Sequence, residues 1–129
     1  MASLSATTSS DALRERFAAL ARQGRKALVP YITAGHPTPQ RSVELLRALE
    51  GAGADVIEIG VPFSDPMADG PVIQASSQAA LEQGMTLERT LDLAREANVS
   101  IPLVLFSYLN PIVAAGPDVL DRAAAAGFN

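Results

Sequence analysis

The sequence has 129 residues, 48% hydrophobic and 19% charged, with 10 Lys plus Arg against 14 Asp plus Glu for a formal net charge of −4. This is enough chain for one domain with a core and too little for two. It excludes a disordered or fibrous chain, and an acidic balance without a basic cluster argues against nucleic acid as a partner. With no Cys and one His, neither a disulfide framework nor a Cys/His zinc site is available, so no metal or cofactor is expected and the chemistry falls to carboxylates, hydroxyls and backbone.

Residues 1–9 have neither the charged start nor the apolar run of a secretory signal and read as a frayed tail. No apolar stretch approaches the roughly 20 residues needed to cross a bilayer, so a cytoplasmic protein without a membrane partner is expected. Ser10 can cap a first helix, with Asp11 at its positive end and Leu13, Phe17, Ala18 and Leu20 at helical spacing before Gly24. Leu28 to Ile32 reads as a strand that tolerates Pro30. Thr38-Pro39 opens a second helix with Val43, Leu46 and Leu49 as its buried stripe and Leu45 alongside, closed by Gly51 and Gly53.

Val56 to Val61 is a β-branched run of the kind covered on both faces in parallel sheets. Glu58 interrupts it, and a carboxylate among apolar neighbours needs a partner or a polar cavity. A turn rich in Pro and Asp follows, and then a helix over 72–83, with Ala75, Ala79 and Ala80 allowing close approach and Gly84 as its stop. Thr86 opens another helix to about Glu96. Ile101 to Leu109 reads as a third strand ended by an Asn110-Pro111 turn, and Gly116-Pro117-Asp118 starts a last helix. Strands alternating with helices give an α/β class with a parallel sheet and right-handed crossovers. Two architectures fit: a small open sheet, or the N-terminal portion of a (β/α)₈ TIM barrel with a leading helix. In the barrel, active residues stand at the C-terminal ends of strands, as Glu58 and the loop after it do.

From Asp55 to Pro71 the chain reads Asp-Val-Ile-Glu-Ile-Gly-Val-Pro-Phe-Ser-Asp-Pro-Met-Ala-Asp-Gly-Pro. This stretch closely resembles the longest signature of the tryptophan synthase α subunit family. Residues 28–35 resemble that family's first strand and loop, and Tyr108-Leu109-Asn110-Pro111 resembles its third. His36 and Tyr31 are mild departures, standing where many members carry Asp and Phe. The resemblance runs from about Leu13 to the end and implies a partial barrel domain over 10–129, with three of the eight βα units. It places the family's phosphate-gripping loops and mobile lid outside this sequence.

The resemblance implies retro-aldol cleavage of indole-3-glycerol phosphate to indole and glyceraldehyde 3-phosphate, a step that needs a positioned acid and base. It assigns proton transfer to Glu58 and, to Asp69, a carboxylate that accepts from the indole N–H as positive charge develops on the ring. Asp69, standing before Gly70-Pro71, also reads as a helix cap. Tyr31, Phe106 and Tyr108 match positions lining the indole pocket, although strand aromatics also serve as core; alternation puts Phe106 and Tyr108 on one face. Asp65 and Pro66 match a loop that meets the β subunit in an α₂β₂ assembly. Glu44, Glu50, Glu88, Asp92 and Glu96 read as solvated helix faces. Without a phosphate site the chain alone is expected to be nearly inactive. Two rivals remain: a non-catalytic partial barrel that docks through its open edge, and a barrel enzyme acting on another sugar phosphate.

Overall fold

A computed structural model of the chain describes residues 9–129. The expected tail therefore lies outside the described residues except for Ser9, which opens the first helix, and the Ser10 cap lies outside the described side chains. Three short strands, β1 (Tyr31–Thr33), β2 (Ile57–Gly60) and β3 (Leu103–Phe106), form a parallel sheet in the order β1-β2-β3. Around them run α1 (Ser9–Arg22), α2 (Pro39–Gly51), α3 (Pro71–Glu82), α4 (Leu87–Ala97), α5 (Leu109–Ala114) and α6 (Val119–Ala125). Each strand lies beside its predecessor, the winding of a barrel wall; a doubly wound sheet would reverse its strand order. Past β3, Phe128 makes a parallel bridge to Leu103, and Asn129 N donates to the Leu103 carbonyl at 2.8 Å.

Local chemistry explains the element ends. Thr38 and Thr86 cap α2 and α4, their hydroxyls accepting from Arg41 N at 3.2 Å and Arg89 N at 3.1 Å. Prolines open α2 and α3, where no helical donor is lost. The first strand is shorter than the expected 28–32: Leu28 N donates to the Asp55 carboxylate at 2.8 Å and Pro30 has no N–H, so the regular ladder begins at Tyr31. The third strand stops at Phe106, where the sequence suggested Leu109, and Leu109 begins α5, which pattern reading did not anticipate. Pro111 does not break α5 because it sits in the first turn, whose amides have no intrahelical acceptor.

The core lies on one side of the sheet. Ile57, Ile59 and Leu103 pack with Val43 and Leu46 of α2, Leu91 and Ala94 of α4, and Val119 and Ala123 of α6. Fully burying such a side chain stabilises by roughly 1.5–3 kcal/mol. On the core face of β2, Ile57 and Ile59 are 0% exposed; on the other face Gly60 is buried and Glu58 is partly buried. Asp55, 1% exposed, ties the layers together. Its carboxylate accepts from Arg16 of α1 and from Leu28 N, both at 2.8 Å. Of the acidic helix residues, Glu44, Glu88, Asp92 and Glu96 are exposed, and two also make tertiary contacts: Glu50 accepts from Ser100 N at 2.7 Å and from the Ser100 hydroxyl, and Glu88 pairs with Arg122.

Candidate active site

Register decides which side chains meet on the other face of the sheet. Tyr31 lies level with Glu58 and Glu58 with Val104; two residues on, Thr33 lies level with Gly60 and Gly60 with Phe106. Residues at one level of a parallel sheet share a face, so these six stand on the side turned away from the core. Tyr31 and Phe106 meet edge to face, ring centroids 5.8 Å apart at 84°. The Tyr31 ring crosses β2 over Gly60, where a Cβ would lie 2.0 Å from the phenol oxygen; glycine is required there by space. Burial pushes the Tyr31 phenol above its ordinary range. The hydrogen bond shared with the Thr33 hydroxyl opposes this, and the charges of Asp69 and Glu58 and the Tyr108 phenol add to it. One phenol therefore feels both candidate carboxylates.

The loop leaving β2 brings Asp69 to this face. Met67 N donates to the Asp65 carbonyl at 2.9 Å and Asp69 N to the Pro66 carbonyl at 3.1 Å, folding the loop back on itself. Phe63 N is held by the Ser77 hydroxyl at 3.2 Å, and the Phe63 ring packs on Tyr108 at 5.3 Å. Tyr108 Oη accepts from Ala68 N at 2.9 Å and donates to Asp69 Oδ2 at 3.1 Å. Burial is the largest influence raising the Tyr108 phenol; the Ala68 bond opposes it and Asp69 adds to it. Asp69 does not cap α3, whose N-cap is Gly70 with no side-chain bond. Its carboxylate is left to Tyr108 and to the face of the sheet.

With this geometry established, the sequence can be set against known proteins. The profile of the family described as Tryptophan synthase alpha chain matches residues 17–129. The chain belongs to this family. The tryptophan synthase alpha chain of Burkholderia thailandensis is 58% identical over 115 residues, which is 87% of this chain and 42% of that protein. The one from Alkalilimnicola ehrlichii is 56% identical over 121 residues, 91% of this chain and 44% of that protein. The crystal structure of tryptophan synthase subunit alpha from Legionella pneumophila superposes with a TM-score of 0.88 at 39% identity, covering 92% of this chain and 47% of that one. The M. tuberculosis tryptophan synthase structure in its aminoacrylate-bound form gives 0.84 at 36% identity, covering 91% and 49%. The chain thus spans less than half the length of the tryptophan synthase alpha chains it matches, and its fold is the corresponding part of their barrel.

For a tryptophan synthase alpha chain, the sequence-predicted residues divide into three groups. Glu58, Asp69, Tyr31, Phe106 and Tyr108 gather on one face. Tyr108 arrives there differently from expectation: it lies beyond β3 as the N-cap residue of α5 and reaches Asp69 because the chain turns, whatever the strand alternation. Asp65 and Pro66 form a second group on the loop that carries Asp69: Asp65 is exposed beside Met67, which is 80% exposed, and the Pro66 carbonyl accepts from Asp69 N. His36 lies on a solvated loop. It helps line a cleft of about 820 Å³ along the free edge of β1, between Leu45 of α2 and Val72 of α3, that includes neither Glu58 nor Asp69. Sequence reasoning missed Thr33, Phe63, Gln74 and Ser76; only Thr33 left a signal, standing two residues after Tyr31 on the same strand face. Among the described residues no group of three or more His, Asp or Glu is placed to hold a metal ion, and no helix is long and apolar enough to cross a membrane.

Proposed function

We propose that this chain supplies the acid–base half of a tryptophan synthase alpha active site, cleaving indole-3-glycerol phosphate to indole and glyceraldehyde 3-phosphate in the cytoplasm. Glu58 moves protons to the indole carbon and from the side-chain hydroxyl. Asp69 accepts from the ring N–H and favours the positive charge that develops in the transition state. Tyr31, Phe106 and Tyr108 form the aromatic wall, and the exposed Asp65-Pro66 loop contacts a β subunit in an α₂β₂ assembly. The domain that does this runs over residues 10–129. The observation that supports the reading is the register that sets Glu58 level with Tyr31, whose ring meets Phe106, together with the Tyr108 hydroxyl that holds the Asp69 carboxylate.

The test is a chimera in which residues 17–129 replace the matching segment of the Burkholderia thailandensis alpha chain. Indole release is expected, and Glu58→Gln should lower it by a factor on the order of 10²–10⁴. A folded chimera that releases no indole, or one indifferent to Glu58→Gln, overturns the proposal. The 129-residue chain by itself is expected to release almost none, because phosphate binding from the remaining units is needed to hold the substrate in reactive geometry.

A further inference from the structure

Something must hold the aromatic wall in place beside the two carboxylates. Ser76 Oγ donates its single proton to the Ile73 carbonyl within α3 at 3.0 Å. In its 2.7 Å contact with Thr33 Oγ1 the donor is therefore Thr33, and in the 3.2 Å contact between Thr33 Oγ1 and Tyr31 Oη the donor is Tyr31. Three hydroxyls form a chain with one direction, from the phenol on β1 to the backbone of α3. Thr33, the middle member, is 5% exposed, while Tyr31 and Ser76 are partly buried.

The same helix holds the catalytic loop. Gln74 Nε2 donates to the Asp69 carbonyl at 2.8 Å, and Asp69 Oδ2 accepts from Tyr108. The contacts make one path: Tyr31 to Thr33 to Ser76, along α3 to Gln74 and Asp69, and across to Tyr108, which stands two residues along the chain from Phe106, whose ring meets that of Tyr31. Glu58 and Gly60 are the strand residues between its two sides.

We propose that Thr33 and Ser76 are positioning residues of this site, whose hydroxyls pin Tyr31 to α3 and so set the spacing between the aromatic wall and the Asp69 loop. The role of the spacing rests on the reading of Glu58 and Asp69 given above; the hydroxyl chain itself is tested without it. The protein has two Tyr and no Trp, so in a Tyr108→Phe background the ultraviolet titration of tyrosinate reports Tyr31 alone. Ionising Tyr31 reverses the chain, with Thr33 then donating to the phenolate and Ser76 to Thr33, and the bond so formed holds the phenol down against burial. Thr33→Val is therefore expected to move the midpoint upward and Thr33→Ser to leave it near that of the parent. Ser76→Ala should move it when Thr33 is present and leave it unmoved in Thr33→Val, because both act through one contact.

An unmoved midpoint in folded Thr33→Val or Ser76→Ala, or an equal Ser76→Ala effect with and without Thr33, overturns the proposal. Should Thr33→Val fail to fold by circular dichroism, Ser76→Ala on the partly buried helix face decides alone. In the chimera, Ser76→Ala is expected to raise KM for indole-3-glycerol phosphate more than it lowers kcat. An inactive parent chimera would refute the catalytic reading and leave the titration result standing.

Discussion

Replacing Gly60 by Ala tests the packing on which the aromatic wall depends. The added methyl carbon would lie 2.0 Å from Tyr31 Oη, 2.6 Å from Cζ and 2.9 Å from Cε2, against about 3.5–4.0 Å for an ordinary carbon contact. The ring must withdraw by roughly 1 Å or more to restore such a contact. Withdrawal breaks the 3.2 Å bond to Thr33, worth about 1 kcal/mol. It also disturbs the Phe106 contact at 5.8 Å, worth about 0.5–1.5 kcal/mol. Because Gly60 is outside the positive-φ glycines, backbone strain adds nothing, and the reduced freedom of the unfolded chain returns about 0.4–1 kcal/mol. The expected net destabilisation is about 1–2 kcal/mol, within the range for overpacked sites. Urea unfolding followed by far-ultraviolet circular dichroism measures it, for Gly60→Ala in the parent and in Tyr31→Ala. The cost should disappear when the ring is gone. An equal cost in both backgrounds, or none in the parent, refutes the account.

Two further predictions concern the framework. The Leu28 N–H bond, outweighing burial, together with the Arg16 guanidinium holds the Asp55 carboxyl below its ordinary range. A carboxyl depressed in the folded state contributes stability above its unfolded pKa of about 3.9, and this is lost as pH falls through the lower folded value. Asp55→Asn should therefore be less stable than the parent at pH 7 with the gap closing in acid; urea midpoints whose gap is the same at pH 7 and pH 3 would contradict this. The adjacent leucines of α2 separate core from surface: Leu46 is 0% exposed and Leu45 40% exposed. Leu46→Ala should cost about 2–5 kcal/mol, Leu45→Ala less than about 1 kcal/mol, and equal shifts in denaturation midpoint would mean that α2 presents a different face.

Much of the architecture was legible because its signals are local. Apolar residues at helical spacing marked α2 and α4, Thr before a helix marked their caps, and a β-branched run marked β2; each reflects the chemistry of a few adjacent residues. Glu58 stood out as a charge in an apolar run. Where prediction failed, the deciding partner lay elsewhere in the chain: Leu28 left the ladder because its N–H goes to Asp55, and the cap that Asp69 also offered is not made, its carboxylate accepting from Tyr108.

By itself the sequence determined the α/β class, the three strands, the leading helix and, through the Asp55–Pro71 motif, the family. Tertiary structure alone decided that the sheet is wound in strand order with its core on one face. It alone brought Tyr31, Thr33 and Ser76 into one hydroxyl chain and turned Tyr108 onto Asp69. The reason is physical: helix and strand propensities act over a few residues, whereas a hydrogen bond between residues 33 and 76 or a ring over Gly60 exists only after register and packing bring distant segments together.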